Sequence, residues 1–292
     1  MDERGRAVAA YYDRLAPVYG AGAYFQARRH AVLAAIRSDI AAARRLLDLG
    51  CGNGSFAAAF VARHRSRRVV GADLSPDMLQ AARRRLGERV ALLRTDATAL
   101  PFRAGSFDAV FMSHVLQLVP DIEGCIAEVA HSLAPGGLLV ATVGAGQWSA
   151  ALRALVGREG FEQLTALLGE MRAGRAADEQ TRIAAACTRA GLRPQWRTAP
   201  FSVPWPAVEE WVRIRWLTIA DAERRAVADA WLAQLRARTA GVTVAFAETL
   251  LLAHKPPAAM PGRRARTRAP RMRRGVVDGL SARLTRRVPP TR

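Results

Sequence analysis

Lysine is almost missing from this sequence: Lys255 is the only one, so nearly all of the 44 basic residues are arginine. With so much alanine beside it, that pattern reads as a coding bias and weakens any inference from arginine content alone. Cysteine is scarce too. Cys51, Cys125 and Cys187 are odd in number and form no CxxC pair, which offers no thiolate metal cage and fits a reducing, cytoplasmic setting. No run approaches the roughly 20 apolar residues that span a bilayer. The start, MDERGRAVAAYYDR, is charged where a secretory signal would be apolar, so a soluble protein is expected. No repeat recurs at solenoid periods.

What is present in quantity is apolar residue, 50% of 292, enough to bury a substantial core. The net charge of +19 suggests nucleic acid until it is located. Residues 255–292 hold twelve basic side chains against Asp278, which leaves +8 for residues 1–254. That Pro- and Arg-rich stretch cannot bury enough apolar surface to offset its ordering entropy, so residues 255–292 are expected to be a disordered basic tail. Val276, Val277, Leu280 and Leu284 make a short basic amphipathic segment within it, compatible with peripheral contact with an anionic membrane.

Strand-length apolar runs alternate with helix-length segments. The runs are 45–50, 68–73, 90–96, 107–115, 138–143, 194–203 and 243–254; SFAAAFVARH, SPDMLQAARRRLGE and DIEGCIAEVAHSLA lie between the early ones. Strand then helix, repeated, predicts an α/β fold with a mostly parallel sheet and helices on both faces. Ser75-Pro76 supplies a helix cap and a first-turn proline, and Ala134-Pro135-Gly136-Gly137 is expected to close the helix before the fifth strand. Residues 147–190 and 205–239 read as amphipathic helices, the second set carrying Trp205, Trp211, Trp216 and Trp231.

Ligands of open α/β sheets sit at the carboxyl ends of the strands. The first such end reads Asp48-Leu-Gly50-Cys51-Gly52-Asn53-Gly54, where missing side chains let a ligand approach the main chain and the next helix N-terminus. The second is Asp73, placed to accept hydrogen bonds from both ribose hydroxyls. The third is Thr95-Asp96-Ala97, an acid and an N–H suited to the edge of adenine. The glycine spacing departs from the dinucleotide pattern, which puts its third small residue at position 55, here Ser55. One adenosine read by three strand ends is the expectation.

LLDLGCGNGSF, VVGADLSPDMLQAA, TDATALPFRAGSFDAVFMSHVLQLVPD and HSLAPGGLLVATV together resemble the successive motifs of class I S-adenosylmethionine-dependent methyltransferases, in the small-molecule branch of the ubiquinone/menaquinone methyltransferases. The match is near-continuous from about residue 46 to 143. YYDRLAPVYG is similar to that branch's aromatic N-terminal segment. The resemblance implies a Rossmann-like, doubly wound, seven-stranded sheet with its last strand antiparallel. A methyltransferase domain over 1–254 is implied, with a helical lid at 1–45 and substrate-cover helices at 147–175 and 205–239, after strand five and between strands six and seven.

By the same resemblance, Asp48 and Gly50, Cys51, Gly52 and Gly54 hold the methionyl part of S-adenosylmethionine, Asp73 takes the ribose, and Asp96 with Ala97 takes the adenine. Leu74 and Met78 pack on the ring, and Ser113 touches the amino acid portion. The acceptor is expected to be a small molecule methylated on O, N or C, without a metal. His114 is the candidate general base, although strand alternation would turn it away from Ser113's side. Tyr19 either faces the active site or packs as one of four early tyrosines. Gln117, where the family often has histidine, is a candidate for orienting substrate, as are Gln147 and Trp148. Arg28, Arg29 and His30 either pair with the cofactor carboxylate or form a solvated helix face. Quinone, phospholipid or carrier-bound acceptors are the alternative, followed by an RNA methyltransferase or a non-catalytic cofactor-binding regulator. Nucleic acid is disfavoured because Ser113-His114-Val115-Leu116 stands where base N-methylating enzymes carry Asn/Asp-Pro-Pro-aromatic.

Overall fold

Apolar side chains on both faces of the central strands decide the architecture. In β1 (Arg45–Leu49), Leu46 faces one layer of helices and Leu47 and Leu49 the other, and all are buried. A strand with no solvent face belongs inside a sheet covered on both sides. The computed structural model describes residues 3–63, 66–143, 146–168, 176–216 and 222–258, which fall within one compact unit.

Along the chain, α1 (Glu3–Leu15) and α2 (Gly22–Ala35) precede β1, followed by α3 (Ser55–Arg63), β2 (Arg68–Asp73), α4 (Pro76–Leu86), β3 (Ala91–Arg94), β4 (Phe107–Ser113), α5 (Ile122–Ser132) and β5 (Leu133–Val143). Then come α6 (Gly146–Leu168), α7 (Ala176–Arg189), β6 (Arg193–Pro204), α8 (Trp205–Trp216), α9 (Ala222–Arg238) and β7 (Thr243–His254). The described strands form a sheet in the order β3-β2-β1-β4-β5-β7-β6. β7 runs antiparallel to both neighbours and the remaining pairs are parallel. The order reverses between β1 and β4, which opens a crevice at their carboxyl ends. This is the expected fold class, with its strands placed to within a few residues.

One local expectation is corrected. Ala134–Gly137 is not a loop after α5: β5 already begins at Leu133, and its pairing with β4 jumps from Phe107↔Leu133 to Ala109↔Leu138. The extra residues bulge, with Gly136 at φ 78°. Lys255 fastens the bulge. Its N–H donates to Gly137 O at 2.8 Å, and its ammonium donates to Ala130 O at 2.7 Å and Leu133 O at 2.6 Å, capping the end of α5. The cap at the start of α4 is as expected, Ser75 Oγ accepting from Met78 N–H at 3.0 Å ahead of Pro76.

The tryptophan-bearing helices α8 and α9 join Tyr24, Phe25 and Phe246 in a third core cluster in which Trp205 and Val208 are buried. Residues 259–292, most of the basic tail, lie outside the described residues. Among the described residues no helix is long and apolar enough to cross a membrane.

Candidate active site

The crevice at the switch between β1 and β4 has a volume of about 300 Å³ and is lined by Asp48, Gly50, Cys51, Gly52, Asp73, Leu74, Met78, Asp96, Ala97, Ser113 and His114. These are the residues read from the strand ends, with one exception. Gly54 does not line it. A Cβ there would meet Leu86 Cδ1 at 2.6 Å, so Gly54 lets α4 pack closely against the loop. Gly50 is likewise a packing glycine, its Cβ position lying 2.2 Å from Val115 Cγ2. Only at Gly52 is there space, the nearest neighbour being Met78 Sδ at 3.9 Å.

The carboxylates differ in what they hold. Asp73 Oδ2 accepts from Gly52 N–H at 2.7 Å and its Oδ1 from Ser75 N–H at 2.9 Å, so it clamps the glycine loop while each oxygen keeps a lone pair. Burial nevertheless pushes its pKa up. Asp96 Oδ1 is held by Thr98 N–H at 3.0 Å and Thr98 Oγ1 at 2.9 Å, which fixes the carboxylate at the end of β3. Asp48 is 1% exposed and its Oδ2 has no hydrogen-bond partner. Burial, and then the nearby Asp73 charge, push its carboxyl up to about 7. A buried acceptor left unsatisfied beside an open crevice calls for a donor from a ligand, and a cationic donor best.

The N-terminal helices close one side. Gly5, Val8 and Tyr12 of α1 and Tyr19 after it line the crevice. Asp13 accepts from Ser75 Oγ, and Asn53 Nδ2 donates to Tyr19 O, so the segment is fastened to both the α4 cap and the glycine loop. Tyr19 packs edge-on to Tyr12 and tilted against Phe25 while lining the crevice.

At the far end the structure departs from the sequence reading. Ser113 and His114 both line the crevice, although neighbours on a strand point to opposite faces. The strand has ended: His114 has φ 57°, a left-handed conformation that costs a non-glycine residue, and its N–H donates to Thr142 Oγ1 at 3.0 Å. His114 Nε2 lies 2.8 Å from Glu248 Oε2, and its Nδ1 lies 3.3 Å from Gln117 Oε1. Gln117 thus touches His114 and does not itself line the crevice.

Arg28 is neither solvated nor open to a cofactor carboxylate alone. It is 7% exposed, and its Nη2 donates to Ser113 Oγ. Its Nε stands 3.4 Å from Glu248 Oε1, an ion pair without hydrogen-bond geometry, which leaves Nε otherwise unpartnered. Burial works to raise the Glu248 pKa, but His114 and Arg28 together hold it down at about 2. Sequence reasoning missed Glu248; the available signal was a lone acid in the otherwise apolar run TVAFAETLLLAH. Gln147 and Trp148 begin α6, and their side chains lie outside the described residues, as does that of Trp216. Among the described residues no group of three or more His, Cys, Asp or Glu is arranged to hold a metal ion.

Residues 47–141 match the family model described as a methyltransferase domain. Over that segment the chain is similar to methyltransferases. Around it, the chain is 40% identical over 136 residues to demethylmenaquinone methyltransferase of Thermus thermophilus, spanning 46% of this chain and 60% of that protein. It is 40% identical over 103 residues to trans-aconitate 2-methyltransferase of Methylobacterium radiotolerans, spanning 35% of this chain and 39% of that one. Both alignments cover less than two thirds of the relative. Among solved structures, the cyclase SpnF (24% identity, TM-score 0.54, 86% of this chain and 95% of that one) and YcgJ of Bacillus subtilis (20%, 0.52, 78% and 98%) share the fold. The matched segment contains the glycine loop and the lining acids Asp48, Asp73, Asp96 and Asp121; α1, α2 and β7, which carries Glu248, lie outside it.

Proposed function

We propose that this protein transfers a methyl group from S-adenosylmethionine to an O, N or C atom of a small-molecule acceptor. The observation that carries the reading is the unpartnered, buried Asp48 Oδ2 facing a glycine loop that Asp73 clamps from the next strand. In this reading Asp48 takes the cofactor's ammonium, Asp73 its ribose, Asp96 with Ala97 N–H its adenine, and Leu74 with Met78 the ring face. When bound, the cofactor supplies an activated methyl on a sulfonium. The protein then has to align the acceptor and exclude water. The docked α1 and Tyr19 serve as the cover, and α8 and α9 buttress it through the aromatic cluster. Isothermal titration with S-adenosylhomocysteine tests the reading: binding by the wild type and loss of it in Asp73→Ala are expected. Absence of binding by the wild type would end it.

A second reading concerns the acceptor. The similarity to a protein named demethylmenaquinone methyltransferase and the aromatic wall of Tyr12, Tyr19 and Phe25 both favour a lipophilic molecule drawn from a membrane surface. Sedimentation with anionic liposomes, with and without residues 259–292, tests it: cosedimentation that disappears on truncation is the expected result. Three buried, free cysteines agree with a reducing cytoplasm as the place of action.

A further inference from the structure

The Arg28–Glu248–His114 chain at the β4 end of the crevice has a chemical arrangement that cofactor binding does not require. A carboxylate buried to 7% exposure is held ionised between a guanidinium and an imidazole that lines the cavity. Its three members come from α2, β7 and the residue after β4, so the sheet order brings them together across 134 positions of sequence between His114 and Glu248. His114 is kept there in a left-handed backbone conformation, and local strain of this kind persists only where the surroundings hold it.

We propose that Glu248 positions the His114 imidazole to take the proton from a hydroxyl acceptor during methyl transfer. This rests on the methyl-transfer reading of the crevice. With Nε2–H donated to Glu248, the basic nitrogen is Nδ1. The hydroxyl oxygen attacks the methyl carbon with a lone pair, and the carbon–sulfur bond breaks with its electrons going to sulfur. The hydroxyl proton passes to Nδ1. The positive charge lost by the sulfonium thus reappears on the imidazolium, beside a carboxylate already in place to stabilise it. Gln117 Oε1, 3.3 Å from Nδ1, stands where the hydroxyl has to approach and is displaced by it.

The class of acceptor follows from where the proton must go. Methylating a hydroxyl without a base gives a protonated ether, a very strong acid, so the proton has to leave as the bond forms. Methylating an amine gives an ammonium ion that is stable in water and requires no base at the reacting atom.

Three measurements test this. S-adenosylhomocysteine titration comes first: wild type, Glu248→Gln and Glu248→Asp should bind alike, and no binding by the wild type would sink the underlying cofactor reading instead. Long-range ¹H–¹⁵N NMR of those complexes at alkaline pH, with His114→Asn for assignment, reads the tautomer. His114 should be Nε2–H in the wild type and a mixture in both Glu248 variants. Glu248→Asp keeps the charge Arg28 needs while withdrawing it from Nε2, so it serves if Glu248→Gln does not fold. An Nδ1–H tautomer in the wild type, or an unchanged one in the variants, overturns the positioning role. Turnover is then compared on catechol, 4-hydroxybenzoate and benzylamine. With a phenol, Glu248→Gln should lower kcat about 100-fold at near-constant KM, the usual scale of general-base assistance. Methylation of benzylamine but neither phenol, or undiminished kcat in the variant, overturns the proposal.

Discussion

Gly52 N–H donates to Asp73 Oδ2 at 2.7 Å, joining the turn after β1 to the end of β2. The same carboxylate therefore shapes the loop and lines the crevice. Asp73→Asn should lower S-adenosylhomocysteine affinity tenfold or more, since hydrogen bonds to a charged group are worth about 1.5–3 kcal/mol each. Its amide must also turn an N–H toward Gly52 or Ser75. Titration calorimetry checks the affinity, and unchanged binding would remove Asp73 from the site.

Two glycines of one loop should fail in different ways. Gly50→Ala puts a methyl 2.2 Å from Val115 Cγ2, so a large fall in melting temperature is expected. Gly52→Ala meets nothing closer than 3.9 Å, and its strain is only that of φ 52°, about 1–2 kcal/mol. Its methyl enters the crevice, so lost cofactor affinity with a modest change in melting temperature is the expected pattern. Thermal melts with and without ligand separate the two.

Asp48 should make cofactor binding pH-dependent. Its carboxyl is raised from 3.8 to about 7 without a cationic partner. A bound ammonium favours the carboxylate, so binding near neutral pH should expel a proton. Calorimetry in two buffers of different ionisation enthalpy reads that proton, and Asp48→Asn should abolish it. The stability sign is opposite to that of a paired acid. Its contribution to the unliganded fold is complete below 3.8 and is lost as pH rises through about 7, so unliganded Asp48→Asn should melt higher than the wild type at alkaline pH.

Lys255 is the lone lysine and caps two carbonyls at the end of α5. Lys255→Met keeps the stem and removes both bonds. A loss of about 1–3 kcal/mol is expected from leaving part-buried carbonyls unsatisfied, with ligand affinity unchanged. Urea denaturation gives the number.

The sheet and the acids that line the crevice were legible because both are written locally. Strand ends, caps and glycine turns are encoded within a few residues of one another, and Asp48, Asp73 and Asp96 each close a strand that the apolar pattern defines. The β4 end of the crevice is assembled from distant pieces. Arg28 on an amphipathic helix looks the same whether it meets water or Glu248, and nothing near Glu248 in the chain names its partner. His114 was misjudged for a different reason: alternation was carried one residue beyond the strand, where φ changes sign. The β5 bulge was missed because Pro-Gly-Gly usually ends an element, while here Lys255 ties it into one.

β7 is the last described element to be synthesised, yet it belongs inside the sheet, between β5 and β6. Elongation at roughly 5–20 residues per second therefore delivers the glycine loop and Asp48, Asp73 and Asp96 some seconds before Glu248. During that interval β5 and β6 both await the strand that pairs with each of them, and His114 has no carboxylate beside it. The last strand thus completes the sheet and the His114–Glu248 contact in one step, and a chain that stops short of it lacks both.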